Sequence, residues 1–423
     1  MNSQTRCLTE TFFERALQRA KDLDEKLSKT GTPVGPLHGL PINLKDCFNI
    51  KGITSTIGFA SFIKNRPVSY TSPAVRVLLN LGAIPYVKTN VPQTMMAADS
   101  HNYVFGRTLN PHRSNLTAGG STGGEGALIA MRGSVLGVGT DNVGSIRIPA
   151  IYQLHSSLAG IKACAGPLAT SVRDLELFMK LVINADPWQF DSSALFSPWR
   201  TDTNFPLHPP VLRTLTSATE KLQAAGIEII PLHIPPLIRD ACTLAFRMFS
   251  MDPARTPFKH IAASGEPVIP ALASTSLHHR YMPYGYAPLT LEGLYDLNEE
   301  RNLIKEALRN LIARAEVDAI IMPSYQGTAQ PYDVFGFVPY TVLWNLVDVS
   351  SYILISRRYT NTPKYPSCII PHDKANKAAD QAFIRSVDYK PPYVADHIEG
   401  APCSVQLVGR NMHDEELMKV VEP

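Results

Sequence analysis

Helical stretches, short turns and apolar strands follow one another repeatedly along this chain, the order expected of an α/β protein whose mixed sheet is covered by helices. Three units carry the reading: residues 75–81, Gly82 and 84–87; residues 211–225, Gly226 and 227–230; residues 299–315 and then 319–322. A length of 423 residues, 44% hydrophobic and 18% charged, is enough to bury a large core, as one large domain or two smaller ones. Extensive disorder is excluded by the same numbers.

The elements can be justified in order. Thr11 and Glu14 have capping-box spacing, and Phe13, Ala16, Leu17, Ala20, Leu23 and Leu27 recur at helical intervals, so an amphipathic first helix is expected to stop before Gly31. Residues 1–34 are therefore read as an N-terminal helical segment and 35–423 as the main domain. Residues 35–45 read as a turn leading into a short apolar strand that ends on Lys45. Residues 127–131 begin a helix at a glycine-rich loop, and residues 135–138 can return as a strand. From 334 to 356 the only charge is Asp348, but Pro339, Asn345 and several hydroxyl residues interrupt the run, and its apolar part is shorter than the roughly 20 residues of a membrane span. A buried helix is expected there.

Charge and cysteines narrow the function. The 40 Lys and Arg against 37 Asp and Glu leave a net charge of +3, too little for broad attraction to nucleic acid or anionic lipid. A small neutral or weakly polar ligand suits the chain better. Cys7, Cys47, Cys164, Cys242, Cys368 and Cys403 have neither metal-ligand nor disulfide spacing, so no metal is expected and the cytoplasm is the expected compartment. No apolar run follows the first residues, so no secretory leader is expected.

The chemistry is concentrated in glycine-rich sequence. In Gly119-Gly120-Ser121-Thr122-Gly123-Gly124-Glu125-Gly126 the glycines permit backbone conformations that a Cβ would forbid. The loop amides then sit at a helix N-terminus, where developing negative charge is favoured. The absence of a Gly-Lys-Ser/Thr ending argues against a phosphate loop, and a flexible linker is the bland alternative. Downstream, Gly139-Thr140-Asp141-Asn142-Val143-Gly144-Ser145-Ile146-Arg147 brings a second serine. A lysine can act as base for two serines only when burial lowers its pKa, and Lys45, after Pro41-Ile42-Asn43-Leu44, is placed for burial. A lone strand-end lysine is otherwise commonly solvated.

These three segments, with Gly166-Pro167-Leu168-Ala169, Ser171-Val172, Asp174-Leu175 and residues 406–410 in the same order, resemble the amidase signature family, in particular its fungal acetamidase-like and fatty-acid-amide-hydrolase-like branch. The resemblance spans about residues 8–421. It implies the amidase-signature fold, a mixed central β-sheet covered by helices on both faces. It further implies hydrolysis of a small or aliphatic carboxamide through an acyl-serine, with Ser145 as nucleophile, Ser121 after a cis peptide as relay and Lys45 as base. Backbone N–H groups of residues 142–145 (Asn142, Val143, Gly144 and Ser145) would form the oxyanion hole, Met95 would line the substrate site, and Thr122, Asp141 and Arg147 would support them. No cofactor or metal is implied. The partner is a small-molecule amide, with neither nucleic acid nor membrane, and a homodimer is left open.

The chain also departs from the family pattern. Val143 stands where the family normally has glycine, in Asp-Ile-Gly-Gly-Ser, adding β-branched bulk to the oxyanion loop. A substrate-lining loop after Tyr152 reads as deleted, and residues 349–364 read as an insertion. These departures raise the alternative of a catalytically impaired amidase-like protein. A further rival is an α/β-hydrolase esterase, because Gly119-Gly120-Ser121-Thr122-Gly123 fits the G-x-S-x-G elbow, although residues 114–117 make a poor buried strand and no histidine has a distinctive setting.

Overall fold

The computed structural model describes residues 2–141, 145–146, 151–152, 164–169, 171–183, 207–224, 226–229, 237–249, 256–274, 290–313, 320–323, 325–334, 338–347, 351–354, 374–387, 391–401 and 403–408. Its centre is a five-stranded mixed sheet in the order β1-β3-β2-β6-β9. The strands are β1 (Leu8–Thr11), β2 (Pro41–Lys45), β3 (Ile84–Thr89), β6 (Leu136–Asp141) and β9 (Cys164–Ala169). The three inner strands run parallel and the two edge strands antiparallel. Between them in the chain lie the two-residue strands β4 (His101–Asn102) and β5 (Gly106–Arg107), which pair as a hairpin, and β7 (Ser145–Ile146) and β8 (Ile151–Tyr152), which do the same. A separate antiparallel sheet joins β10 (Ile320–Pro323), β12 (Val405–Val408) and β11 (Ser351–Leu354) in that order.

Side-chain alternation decides what each face of the central sheet carries. Ile42 and Leu44 of β2 and Leu136 and Val138 of β6 join a hydrophobic cluster with Val75, Leu78 and Phe178, drawn from the helices Pro73–Asn80 and Val172–Ile183. Their neighbours Asn43, Lys45, Gly137 and Gly139 consequently face the other way. That side is covered by the helix Gly123–Ala130, whose Ala127 and Leu128 pack with Cys7 and Val87. A five-residue strand thus presents leucine to one layer and lysine to the other. The remaining large core gathers the helices Pro209–Ala224, Leu237–Phe249, Leu291–Ala313 and Pro339–Val347 around fully buried Trp344.

Most expected elements occur where the periodicity puts them. The strand ending on Lys45, the helix and strand on either side of Gly82, the helix beginning inside the glycine-rich loop and the strand returning toward Asp141 are all present. The apolar run after residue 334 gives a fully buried helix, Pro339–Val347, and then the strand Ser351–Leu354. Residues 349–350 and 355–364, the rest of the expected insertion, lie outside the described residues.

Three details differ. The first helix, Phe13–Thr30, is preceded by Phe12 as N-cap without a side-chain cap bond. Thr11 is taken up instead in β1, opposite Val87, so the capping-box spacing is coincidental. On that helix Ala16 and Leu23 are buried while Phe13 and Leu17 stay more than half exposed, because the helix lies against the sheet edge and needs only a narrow apolar stripe. Residues 227–229 take no strand conformation and Ile227 is exposed; their alternation finds no neighbouring ladder to satisfy the backbone groups.

Helix Gly123–Ala130 packs tightly at Gly124, where an added Cβ would fall 2.3 Å from Asn90 N and 2.6 Å from Cys7 O. Both are backbone atoms, so no rotamer change can relieve the clash. Gly124→Ala is expected to lower stability by about 1–3 kcal/mol, measured as a shift of the urea midpoint without a change in slope.

Candidate active site

Lys45 is the last residue of β2, and its side chain is completely buried. Its Nζ lies 2.9 Å from Ser121 Oγ and donates to the Thr140 carbonyl at 3.3 Å. Ser121 Oγ lies in turn 3.1 Å from Ser145 Oγ. All three side chains have 0% exposure, although 76 residues separate Lys45 from Ser121 and 24 separate Ser121 from Ser145. The Gly120–Ser121 peptide bond is cis.

Burial also sets the charge state of the amine. Desolvation pulls the Lys45 pKa down to about 7, only partly opposed by the fields of Cys47, Asp141 and Glu125. A lysine so placed is available as a neutral amine near neutral pH.

The backbone around the serines is fixed by buried polar contacts. Gly119 O accepts from Ser100 N, Gly123 N donates to Ser100 Oγ, and Thr117 Oγ1 donates to Asp99 Oδ1 at 3.0 Å. Asp99 also pairs with Arg107 at 3.1 Å, and Arg107 reaches on to Asp333. On the other side, Asp141 accepts from Ile146 N at 2.9 Å and from Asn345 Nδ2 at 3.1 Å, which ties the strand bearing Ser145 to the buried helix Pro339–Val347. Behind Lys45, Asp46 forms a buried ion pair with Lys88 at 3.1 Å and accepts from Ile57 N and Thr9 Oγ1. Thr122 is fully buried, and its hydroxyl has no hydrogen-bond partner among the described residues.

Met95 is buried in a tight turn where both Thr94 (φ 69°) and Met95 (φ 57°) take left-handed backbone conformations. Such conformations cost non-glycine residues of order 1–3 kcal/mol each and persist only where the surroundings impose them. Gln93 does so here: its Nε2 donates to Pro267 O at 3.0 Å and its Oε1 accepts from Ile269 N at 3.1 Å.

The structure therefore brings Lys45, Ser121 and Ser145 together, with Asp141 and Thr122 beside them. Asn142, Val143, Gly144 and Arg147 lie outside the described residues, as do residues 153–163, where a substrate-lining loop is expected to be deleted. Asp99, Ser100, Arg107, Lys88, Gln93 and Asn345 were not singled out by sequence reasoning. Their signal was weak: polar residues in strands and loops look solvated until the fold buries them.

The match to known proteins is broad. The Amidase family model covers residues 1–418. The chain belongs to the amidase family. It is a hydrolase that acts on amide C–N bonds, and its fold is the amidase-signature α/β fold. It is 36% identical to an amidase of Gibberella moniliformis, across 99% of this chain and 80% of that one, and 32% identical to an acetamidase of Emericella nidulans, across 99% and 82%. Among solved structures it resembles a fatty acid amide hydrolase with a TM-score of 0.84 and 30% identity, covering 99% of this chain and 78% of that one. Membership in the amidase family removes the α/β-hydrolase reading. In keeping with this, residues 109–117 form only isolated bridges, not the central strand that an elbow requires. Among the described residues no helix is long and apolar enough to cross a membrane.

The depressed lysine pKa has a consequence for stability. In the unfolded chain the amine keeps its usual pKa near 10.5, so between pH 7 and 10 the unfolded state binds more protons and wild-type stability gains as pH rises. Below pH 7 both states are protonated, and the penalty of burying the ammonium is fully present. Lys45→Met is expected to be more stable than wild type at pH 6, with the difference shrinking by about 1 kcal/mol per pH unit above pH 7. Urea melts of the two proteins across pH 6–10 measure it.

Proposed function

We propose that this amidase hydrolyses small or aliphatic carboxamides through an acyl-Ser145 intermediate, with Ser121 relaying a proton to neutral Lys45. The supporting observation is the continuous buried contact from Lys45 through Ser121 to Ser145, at 2.9 Å and 3.1 Å. In this reading Ser145 Oγ attacks the amide carbonyl while its proton passes to Ser121 and the Ser121 proton to Lys45. The negative charge formed on the carbonyl oxygen is held by backbone N–H groups of residues 142–145. Collapse expels the nitrogen as ammonia or an amine, protonated along the same relay. Water then attacks the acyl-serine, with Lys45 again accepting the proton, and releases the carboxylic acid. No metal or cofactor enters this scheme.

Asp141 takes a positioning role, since it holds the amide of Ile146 next to the nucleophile, and we assign Arg147 and Thr122 to the same support. Met95 and Thr94 border the acyl side. Uncharged acyl groups are favoured by the buried setting of Met95 and by the names of the relatives, an acetamidase and a fatty acid amide hydrolase. We place the protein in the cytoplasm, a reading supported by Cys7, Cys47 and Cys242 being free thiols.

Ammonia release from a panel of uncharged primary amides tests the proposal. Ser145→Ala should abolish turnover, and Lys45→Ala should lower kcat/KM by at least about 1000-fold. Because only the neutral amine acts as base, wild-type kcat/KM should rise with pH through about 7 and then level off. Folded wild-type protein that releases no ammonia from any amide, but does so as Val143→Gly, would locate a defect in the oxyanion loop. Full activity in Lys45→Ala would refute the relay.

A further inference from the structure

Glu125 is another ionisable group that the fold buries completely on the face of the sheet carrying Lys45. It sits in the first turn of the helix Gly123–Ala130, four residues after Ser121 in the chain. Its Oε1 accepts from Val138 N of β6 at 2.8 Å, and its Oε2 pairs with Thr89 Oγ1 of β3. These two strands flank β2, with Thr89 in register with Lys45 and Val138 in register with Leu44. Space for the carboxyl is made by Gly137, where a Cβ would fall 2.4 Å from Oε1. One side chain thus connects the helix that begins at the Ser121 loop to both neighbours of the strand that ends on Lys45.

Proton counting adds a second observation. Thr89 Oγ1 has two acceptors within reach, Glu125 Oε2 and the Leu44 carbonyl at 3.5 Å, but its hydroxyl has one hydrogen. Both contacts are satisfied when Glu125 carries a proton on Oε2 and donates it to Thr89, which then donates to Leu44, the residue before Lys45.

We infer that Glu125 is a positioning residue for the reaction, acting as a protonated carboxylic acid that locks the Ser121 loop against the strand end bearing Lys45. The inference rests on the Lys45–Ser121–Ser145 reading. Burial, the largest influence on the carboxyl, pushes its pKa up and favours the protonated form, against the contacts with Thr89 and Val138 and the field of Lys45. Among the described residues, the other ionisable groups shown to feel its charge are Cys7 and Tyr86, both themselves pushed upward by burial. None supplies a positive charge that would hold Glu125 ionised apart from Lys45. A neutral Glu125 also withdraws the negative field that otherwise raises the Lys45 pKa, so the amine stays free to act as base.

The test is the rate at which a fluorophosphonate probe labels Ser145, followed against pH in wild type, Glu125→Ala, Glu125→Asp and Glu125→Gln, with circular dichroism and melting as checks of folding. Misplacing the relay by about 1 Å should slow labelling about 100-fold in Glu125→Ala and Glu125→Asp. Glu125→Gln reproduces the protonated acid, with its amide donating to Thr89 and its carbonyl accepting from Val138. It should restore labelling to within an order of magnitude of wild type and leave the midpoint of the pH profile unchanged. Removing an ionised carboxylate would instead lower the Lys45 pKa, so a midpoint shifted to lower pH in Glu125→Gln overturns the protonated form. Wild-type labelling by folded Glu125→Ala or Glu125→Asp overturns the positioning role; should the alanine variant fail to fold, the aspartate and glutamine variants decide alone. Lys45→Ala separates the two proposals. If it labels as fast as wild type the relay itself is wrong, whereas slow labelling there with fast labelling in the Glu125 variants refutes only the role of Glu125.

Discussion

Everything in the arrangement depends on keeping an amine out of water. A lysine side chain at the end of a central strand would ordinarily reach solvent, and here it is roofed by a helix and a glycine-rich loop until no surface remains exposed. The ammonium form is then disfavoured by lost hydration, and the neutral amine becomes accessible near pH 7. The same enclosure strengthens each remaining polar contact, because no water competes for Ser121 or the Thr140 carbonyl.

Such an enclosure is costly, and the surrounding structure is arranged to sustain it. Polar groups buried nearby are joined into networks: Asp46 with Lys88, Asp99 with Arg107 and Thr117, and Asp141 with Ile146 and Asn345. A buried ion pair adds little net stability compared with apolar packing, but breaking one is severe. Their value here is geometric. Each network holds a segment bearing one of the three central side chains: Asp46 the end of β2, Asp99 and Thr117 the approach to Ser121, and Asp141 the strand carrying Ser145. Glycines complete the arrangement by letting the covering helix approach the sheet within backbone contact at Gly124.

Several of these parts were readable in the primary structure and several were not. The two glycine-rich serine segments and the apolar strand ending on Lys45 announce themselves because glycine spacing and a lysine after an apolar run are unusual, and together they offer the three central residues as candidates. Gln93, Asn345 and Arg107 gave no comparable sign. Gln93 works through residues 267–269, more than 170 positions away, and Asn345 reaches Asp141 across 204 positions. Local pattern carries no information about such partners. The capping-box spacing at Thr11 failed for a related reason: a neighbouring strand offered Thr11 a ladder, and tertiary pairing outweighed a local cap.

By themselves, the residues determined the α/β alternation, carried the motifs that resemble the family and offered the amine and the two hydroxyls as candidates, since these follow from periodicity and from short-range motifs whose chemistry is intrinsic to the side chains. Only the folded chain decided that the three groups meet at hydrogen-bond distance, that the amine loses its water, and that Glu125 joins the helix to both strands flanking Lys45. Distance and desolvation are properties of packing between remote segments, and they come into being when the helix closes over the sheet.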